Sequence, residues 1–379
     1  MINWIKNAGS LLPKRWSLAF CLLAAAGGAS AQTCSFKNDS IAQTLTAPLT
    51  SASITAGRDL PVGSVLSHQI WTQFANAGIE CDSGSMQLTI AMENIGLALS
   101  AWQPSGAMAG KMYQTNLPGV GVTFRTNSTP STYIPETWTW TIGGDVNTGA
   151  RLMFGLVQVQ FWKIGDITPG TISTVGFPTI TMSVGTAPKM RLWTFNIMGG
   201  SLNIVSQTCT TSDQLVPLGD RPQTDFTGIG TGSPLRDFAI ELKNCPAFFG
   251  SNRRDTQTYE KLDGIPTNAL VSTEYGAFSS NTIRFQLTPP AANIQSPGIL
   301  KLGAPIGGGT NATGVGIEIR QRSAAVPIAF NTWLDGLDVV NVDANSTQTI
   351  PLSARLVQTA AQVTPGQANG SVEFLLDYQ

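Results

Sequence analysis

The amino-acid sequence predicts an all-β protein made of two β-sandwich domains of the immunoglobulin-like or jelly-roll-like kind. Only 12% of the residues are charged, whereas glycine and proline number 39 and 22. Short runs rich in Val, Ile, Thr and aromatic residues recur between Gly, Pro, Asn and Ser clusters, which is the pattern of sandwich strands and their turns. Helical periodicity is hard to find. The length of 379 residues favours two domains.

The first residues predict a secretory signal peptide, 1–31, which we exclude from the fold. A basic stretch that ends at Arg15 precedes an apolar run at 16–26, and Ala29-Ser30-Ala31 fits a cleavage site. The mature chain is then expected to begin at Gln32. No other run approaches the roughly 18 apolar residues that a membrane-spanning helix needs. The formal net charge of −1 disfavours nucleic acid and anionic membranes as partners.

Four of the 5 cysteines lie in the expected mature chain: Cys34, Cys81, Cys209 and Cys245. In an oxidising compartment an even number of cysteines indicates disulfides, and four cysteines allow three pairings. The long interval between the second and the third favours local pairs. We therefore expect Cys34–Cys81 and Cys209–Cys245, one in each domain.

The first domain is expected to cover 32–200. Its predicted strands lie at 86–90, 97–102, 119–125, 137–142, 152–164 and 191–197. Their spacing suits an antiparallel sandwich.

The candidate ligand-binding residues of this domain are Arg125, Tyr133, Trp138 and Trp140. The two tryptophans alternate on one strand, and the other two lie near its flanking turns, so that an aromatic platform adjoins planar polar groups. Such a mixture binds sugars or exposed peptide. The alternative is that both tryptophans belong to the core, because aromatic residues usually fill sandwich interiors.

Catalysis finds little support in the sequence. His68 is the only histidine, no Gly-x-Ser-x-Gly motif accompanies it, and no Cys-x-x-Cys spacing suggests a metal or redox site. We therefore expect neither an enzyme nor a cofactor nor a metal. A glycosidase pair of carboxylates stays open, with Glu80, Asp82, Glu136 and Asp145 as the acidic residues at hand.

A short linker at 201–208, which follows two glycines, is expected to precede a second domain at 209–379. Alternating apolar residues predict three strands of this domain: Ile283, Phe285 and Leu287; Val315, Ile317 and Ile319; Ile350, Leu352, Ala354 and Leu356.

The final strand has the same alternation. Val372, Phe374, Leu376 and Tyr378 fall on one face of an extended segment, and Gln379 follows them. This pattern predicts a half-buried strand.

The second domain resembles the subunits that bacteria assemble by the chaperone–usher pathway. Tyr378 is penultimate and Gly366 is fourteenth from the end, as in the C-terminal signature of that family. The stretch 209–219 and the sequence that ends at Cys245-Pro246 resemble the opening of a pilin domain. The segment 113–125 is similar to a stretch of tip adhesins, including those of type 3 fimbriae.

The resemblance implies a two-domain fimbrial tip adhesin. Its second domain would be an incomplete pilin fold, which a donor strand from the adjacent subunit completes. A periplasmic chaperone would pair along the last strand by β-augmentation and would contact Val372, Phe374, Leu376, Tyr378 and Gln379. An outer-membrane usher would be the further assembly partner. The adhesin would reach the fimbrial tip at the cell surface through the periplasm.

The short interval between Gln32 and Cys34 supports the tip position. A subunit inside the fibre carries an alternating extension before its first cysteine, and no such extension is expected here. The receptor would be a host glycan or an extracellular-matrix protein. Two other functions stay open: a structural tip or initiator subunit that binds no receptor, and a secreted hydrolase on a pilin anchor.

Overall fold

The structure, a computed structural model, describes residues 32–37, 40–75, 77–82, 85–126, 132–141, 150–152, 156–251, 259–261, 269–274, 279–322, 324–340 and 342–379. The regular elements in these ranges are β-strands and four single-turn 3-10 helices, at Gly106–Met108, Gln223–Asp225, Ala291–Asn293 and Ile306–Gly308. The predicted signal peptide lies outside the described residues.

The strands of the N-terminal half are β1 (Cys34–Lys37), β2 (Gln43–Ala47), β3 (Ala52–Thr55), β4 (Val65–Ala75), β5 (Ala77–Cys81), β6 (Ser85–Glu93), β7 (Tyr113–Gln114), β8 (Val120–Thr126), β9 (Thr132–Tyr133), β10 (Glu136–Thr141), β11 (Ala150–Leu152), β12 (Leu156–Lys163), β13 (Gly170–Ser173), β14 (Thr179–Val184), β15 (Met190–Ile197) and β16 (Ser201–Val205).

The strands of the C-terminal half are β17 (Thr210–Thr211), β18 (Arg236–Cys245), β19 (Tyr259–Lys261), β20 (Ala269–Glu274), β21 (Asn281–Thr288), β22 (Ile294–Ser296), β23 (Ile299–Leu300), β24 (Val315–Gln321), β25 (Leu334–Val339), β26 (Ser346–Gln358) and β27 (Glu373–Tyr378).

The N-terminal half is a sandwich of two main sheets. One has the order β10-β6-β14-β15-β2, and the other contains β4-β12-β8-β7, with β9 also paired to β8. Their inner faces share one core, in which the rings of Trp71 on β4 and Phe195 on β15 lie 5.5 Å apart. Strand β12 shows why the sequence folds this way, because its buried Val157, Val159 and Phe161 alternate with other residues and belong to this core.

Two small sheets complete this half. Strand β5 lies between β1 and β11, and the predicted disulfide Cys34–Cys81 joins β1 to β5. Strand β16 lies between β13 and β3 and runs parallel to β3. Residues 201–205 of the predicted linker are therefore a strand, and the exact domain boundaries stay a prediction.

A hairpin from the C-terminal half extends a sheet of the N-terminal half. Strands β19 and β20 pair with each other, and β20 pairs antiparallel with β4. The two halves thus share one seven-stranded sheet.

The remaining strands of the C-terminal half form a second sandwich. One sheet has the order β17-β18-β26-β24-β23-β22, and the other has the order β25-β21-β27. The alternating apolar residues predicted for β21, β24 and β26 are all buried in one core cluster. The second predicted disulfide, Cys209–Cys245, lies in the same cluster.

The predicted fold class is confirmed, as are most of the predicted strands. The strand expected at 97–102 is wrong, because only Leu99 forms a bridge, to Tyr113. The Ser100 hydroxyl accepts the Trp102 N–H and so favours a local turn over a ladder. The long strand expected at 152–164 is described as β11 and β12. Across the described ranges, no helix is long and apolar enough to cross a membrane.

Candidate functional site

Two of the four candidate ligand-binding residues meet on the surface of the first sandwich. Arg125 on β8 lies directly opposite Tyr133 on β9 in an antiparallel pair. The Arg125 Cζ atom lies 5.2 Å from the centre of the Tyr133 ring, which is a cation–π contact. Both side chains are half-buried, so the pair is held by the sheet and still reaches solvent.

Neighbouring polar groups fix the position of Tyr133. Its hydroxyl donates to Gln160 Oε1 at 3.3 Å, and the Lys111 Nζ donates to its carbonyl oxygen at 2.7 Å. The same ammonium lies 3.1 Å from Glu136 Oε2. The hydrogen bond from Lys111 lowers the pKa of Glu136, and a bond from the Thr137 N–H adds to this effect. The site therefore presents two cations beside one carboxylate and one aromatic ring.

A buried amide lies next to this pair. Gln158 on β12 is opposite Arg125 on β8 and is 1% exposed. Its Nε2 atom has no hydrogen-bond partner among the residues that the structure describes, although a buried amide nitrogen normally has one. Such a donor favours a polar ligand atom at this end of the sheet.

The sequence analysis missed Lys111, Gln158 and Gln160. The signal for the two glutamines was present, because polar residues alternate with Val157 and Val159 along β12. Amide side chains on the face of a strand opposite its core face indicate polar contacts on that face as well as a sandwich. Lys111 gave no such signal, since it precedes β7 in an irregular segment.

The two candidate tryptophans lie on the other main sheet. Trp138 and Trp140 on β10 pair with Leu88 and Met86 of β6. The structure therefore does not join them to the Arg125–Tyr133 pair through a shared sheet. Their side chains lie outside the described part of the chain, so their role stays a prediction.

The residues considered for catalysis are dispersed. His68 is buried on β4 opposite Gln160, at 4% exposure. Glu80 pairs with Lys37, whereas Asp82 accepts the Thr33 N–H. Asp145 lies outside the described residues. No group of three or more potential metal ligands occurs in the part of the chain that the structure describes.

The predicted final strand is present as β27. Among the described strands it pairs only with β21, antiparallel, so β27 is an edge strand of its sheet. Gly366, upstream of it, packs so closely on the backbone that a Cβ would lie 2.2 Å from the Ala312 nitrogen. This contact explains why a glycine is needed there.

The hydrogen bonds at the end of β27 show which of its backbone groups face the open edge. Gln379 and Thr282 exchange two backbone hydrogen bonds, at 2.9 and 3.3 Å. In an antiparallel ladder such pairs alternate with pairs that point outward. The N–H and C=O groups of Phe374, Leu376 and Tyr378 therefore point away from β21.

The second sandwich has a further segment without a ladder partner. The segment 212–221, after β17, forms no backbone ladder with any described strand. Half-buried apolar side chains pack on the core of the same sandwich: Leu218, Phe226, Phe238, Val372, Phe374 and Leu376. Unpaired backbone and partly exposed apolar side chains thus occur together, which is the condition for adding a strand.

Tyr378 is held at the end of the strand by burial and by a hydrogen bond of its side chain. It is 4% exposed, and its hydroxyl accepts the backbone N–H of Cys209 at 3.2 Å. Burial raises the pKa of this phenol, whereas the bond from Cys209 lowers it by a smaller amount. The Tyr378 side chain therefore ties the end of β27 to the disulfide that opens the second sandwich.

Comparison with known proteins assigns two regions of the chain to different families. Residues 49–191 match the family described as MrkD-like receptor binding domain, and residues 198–379 match the family described as Fimbrial protein. The chain is similar to a fimbria adhesin protein of Klebsiella pneumoniae, at 24% identity over 330 residues, which cover 84% of this chain and 87% of the relative. It is also similar to a fimbrial subunit type 1 of Salmonella typhimurium, at 27% identity, over 48% of this chain and 85% of the relative.

Among solved structures, the receptor binding domain of the plasmid-born adhesin MrkD1P of Klebsiella pneumoniae is similar. It shares 21% identity, covers 48% of this chain and 99% of its own, and has a TM-score of 0.34.

Proposed function

Because the chain is a two-domain fimbrial tip adhesin, with a MrkD-like receptor-binding domain followed by a fimbrial protein domain, we propose that it attaches a Gram-negative bacterium to a host or surface receptor. The receptor is a glycan or an extracellular-matrix protein. Membership of this family also confirms that the chain is not an enzyme.

The observation that carries the proposal is the Arg125–Tyr133 contact beside the unpartnered Gln158 amide. A guanidinium stacked on a ring offers a planar cationic surface, and the amide offers a donor, so a ligand with a carboxylate or several hydroxyl groups fits both. Lys111 adds a second cation at the same edge. These groups favour an acidic sugar or an acidic side chain of a matrix protein.

Glycan and matrix-protein arrays test the receptor assignment. The mature full chain is compared with Arg125→Met and with Arg125→Lys, which keeps the charge but loses the planar group. Removal of the cation is expected to weaken binding at least tenfold, as loss of a charge-assisted hydrogen bond of about 1.5–3 kcal/mol would. Lysine should restore only part of the affinity.

Arg221→Met is the matched control, because this arginine lies in the second sandwich and donates to its own chain at Leu218. Binding that is equal in all variants would contradict the site. Absence of any binding by the full chain on both arrays would favour a structural tip or initiator subunit. Binding that survives Arg125→Met and fails in variants of Trp138 or Trp140 would move the site to the other sheet.

The second part of the proposal concerns assembly. A periplasmic chaperone first adds a strand at the open edge of β27, and the adjacent pilus subunit later replaces it with its own donor strand. Two observations on the described residues support strand addition. The outward backbone groups of Phe374 and Leu376 have no partner, and the segment 212–221 forms no backbone ladder. The usher then exports the subunit to the fimbrial tip.

Strand addition should be favourable because it buries apolar side chains. A donor strand that buries four large side chains would contribute about 1.5–3 kcal/mol for each, before the cost of ordering the strand. That sum is comparable to the stability of a whole domain, about 5–15 kcal/mol. The isolated segment 209–379 is therefore expected not to hold its fold without a partner strand.

Co-purification with the cognate chaperone tests assembly. We expect that deletion of Tyr378 and Gln379, or the change Phe374→Asp with Leu376→Asp, abolishes chaperone capture and leaves the subunit degraded in the periplasm. Leu375→Asp is the matched control, because Leu375 is 39% exposed and directs its backbone towards β21. An isolated 209–379 that unfolds cooperatively as a soluble monomer would contradict the incomplete-fold proposal.

A further inference from the structure

The first residue of the expected mature chain is built into the first sandwich. Gln32 is 6% exposed. Its backbone N–H donates to the Thr186 hydroxyl at 2.6 Å, and its carbonyl accepts the Thr186 N–H at 3.1 Å. Gln32 is therefore part of the fold.

The side chain of Gln32 is held in the same way as its backbone. The amide Nε2 donates to the Ser85 carbonyl, and Oε1 accepts the Gln87 N–H at 2.9 Å. Both partners lie on β6, so the amide pairs with the backbone of that strand through its donor and its acceptor. This pairing at two points fixes the plane of the amide group.

The residues that follow Gln32 are also joined to this end of the sandwich. The Thr33 N–H donates to the Asp82 carboxylate at 3.1 Å, and the Asp82 N–H donates to the Thr33 carbonyl at 3.0 Å. The disulfide Cys34–Cys81 comes next. A movement of Gln32 away from β6 therefore has to break several contacts at once.

A glutamine at the N-terminus of a chain can react with itself. Its α-amine attacks Cδ of the side-chain amide, the bond from Cδ to Nε2 breaks, and Nε2 leaves as ammonia with a proton from the amine. The lactam of pyroglutamate remains, and no other reactant is needed. The attack requires the side chain to fold back on its own nitrogen, so the bonds of Gln32 to Ser85 and Gln87 must break first.

We propose that Gln32, as the first residue after cleavage at Ala31, is a modification site that the fold protects. Unfolded chains convert it to pyroglutamate, whereas folded chains keep the glutamine. The lactam has lost Nε2 and cannot donate to Ser85 from that atom. A chain that cyclises before it folds therefore lacks one of the bonds that hold its N-terminus to β6. The proposal includes cleavage after Ala31 and does not depend on the receptor.

The mass of the N-terminal peptide measures this modification. The mature full chain, purified from the periplasm, is incubated at neutral pH either folded or in guanidinium chloride, then reduced and digested with trypsin. The first peptide ends at Lys37, and cyclisation lowers its mass by one ammonia. The folded chain should cyclise at least about fivefold more slowly than the unfolded chain, because two hydrogen bonds of the amide must first break.

Variants of Thr186 test the contact of the α-nitrogen separately. Thr186→Val removes the hydroxyl that accepts the Gln32 N–H. It should raise the rate in the folded chain about fivefold, as the loss of one hydrogen bond would. Thr186→Ser keeps the hydroxyl and should behave as the wild type. Thr186 is exposed, so both variants should fold.

The possible results separate the parts of the proposal. A folded chain that cyclises as fast as the unfolded chain would overturn protection by the fold. An unfolded chain that keeps its glutamine, or a first peptide that begins at another residue, would overturn Gln32 as the modification site. Equal rates in the folded wild type and in Thr186→Val would overturn the part assigned to Thr186 and leave protection by the amide contacts.

Discussion

The change Tyr378→Phe isolates the contribution of one hydroxyl group. The phenol of Tyr378 accepts the Cys209 N–H, and both residues are buried, at 4% and 9% exposure. Phenylalanine keeps the ring and leaves no cavity. The variant therefore leaves a buried N–H without an acceptor, and this is the only direct loss.

The expected magnitude follows from that loss. An unsatisfied buried donor costs about 1–3 kcal/mol, so the free energy of unfolding should fall by this amount. Tyr378→Ala also removes the ring, and truncation of a buried aromatic residue costs about 3–5 kcal/mol. Urea unfolding of the full chain at neutral pH, followed by circular dichroism, measures both values.

The same variant should change the dependence of stability on pH. Burial raises the pKa of Tyr378 above its ordinary value of 10.0, so the folded state holds the proton more tightly than the unfolded state. The resulting stability is present below pH 10 and is lost as the pH rises through the folded-state pKa. Tyr378→Phe should flatten this loss, apart from the share due to Tyr113, whose pKa burial also raises.

Tyr133→Phe is the matched control. Its hydroxyl bonds to a glutamine at 3.3 Å on a half-buried surface, so the loss of stability should be smaller. Equal effects of the two variants would refute the argument from burial. A Tyr378→Phe chain as stable as the wild type would show that the Cys209 N–H finds another partner.

Three further changes test other contacts. Gly57→Ala should destabilise the full chain by more than 1 kcal/mol in urea, because the added Cβ would clash with the Tyr378 oxygen and overpacking of this kind costs about 1–3 kcal/mol. Glu318→Gln should cost about 3–5 kcal/mol in urea unfolding, since it leaves two arginines beside a buried neutral group. Lys111→Met should raise the pKa of Glu136 towards its ordinary value in a carbon-13 NMR titration, because the Lys111 hydrogen bond is the main cause of the lowered pKa.

Each of these has a control within the chain. Gly228→Ala should be neutral, because nothing lies within 4 Å of the added Cβ. Glu373→Gln should also be neutral, since Glu373 is exposed. In the Lys111→Met titration, the pKa of Asp82 should stay low, because Thr33 rather than Lys111 lowers it. A loss in a control as large as that in its partner would contradict the local explanation.

The sequence predicted those features that depend on neighbours along the chain. Alternation in β21 and β27 identified both strands, because buried and exposed positions repeat every two residues. The gap between Cys81 and Cys209 led to the correct disulfides. The proximity of Arg125 to Tyr133 could be predicted because the two residues lie on neighbouring strands, a short distance apart in the chain.

Contacts between distant segments left no such signal. The Asp59–Tyr378 bond spans 319 positions, and nothing in the sequence around Asp59 distinguishes it from another turn carboxylate. The pairing of β20 with β4 is equally hidden, since alternation shows that a strand exists but not which strand it joins. The strand expected at 97–102 was wrong for a local reason, because the Ser100 hydroxyl accepts the Trp102 N–H in a turn.

The contacts of residues 55–59 with the second sandwich have a mechanical consequence. The covalent link between the sandwiches runs only from Val205, at the end of β16, to Cys209, whereas the bonds of Thr55 and Asp59 join them in parallel with it. Receptor binding by the first sandwich, as proposed, would let an applied force pull it away from the second. Tension between the two halves would then fall on these hydrogen bonds and on the ladder between β4 and β20 together, before it reaches the covalent link.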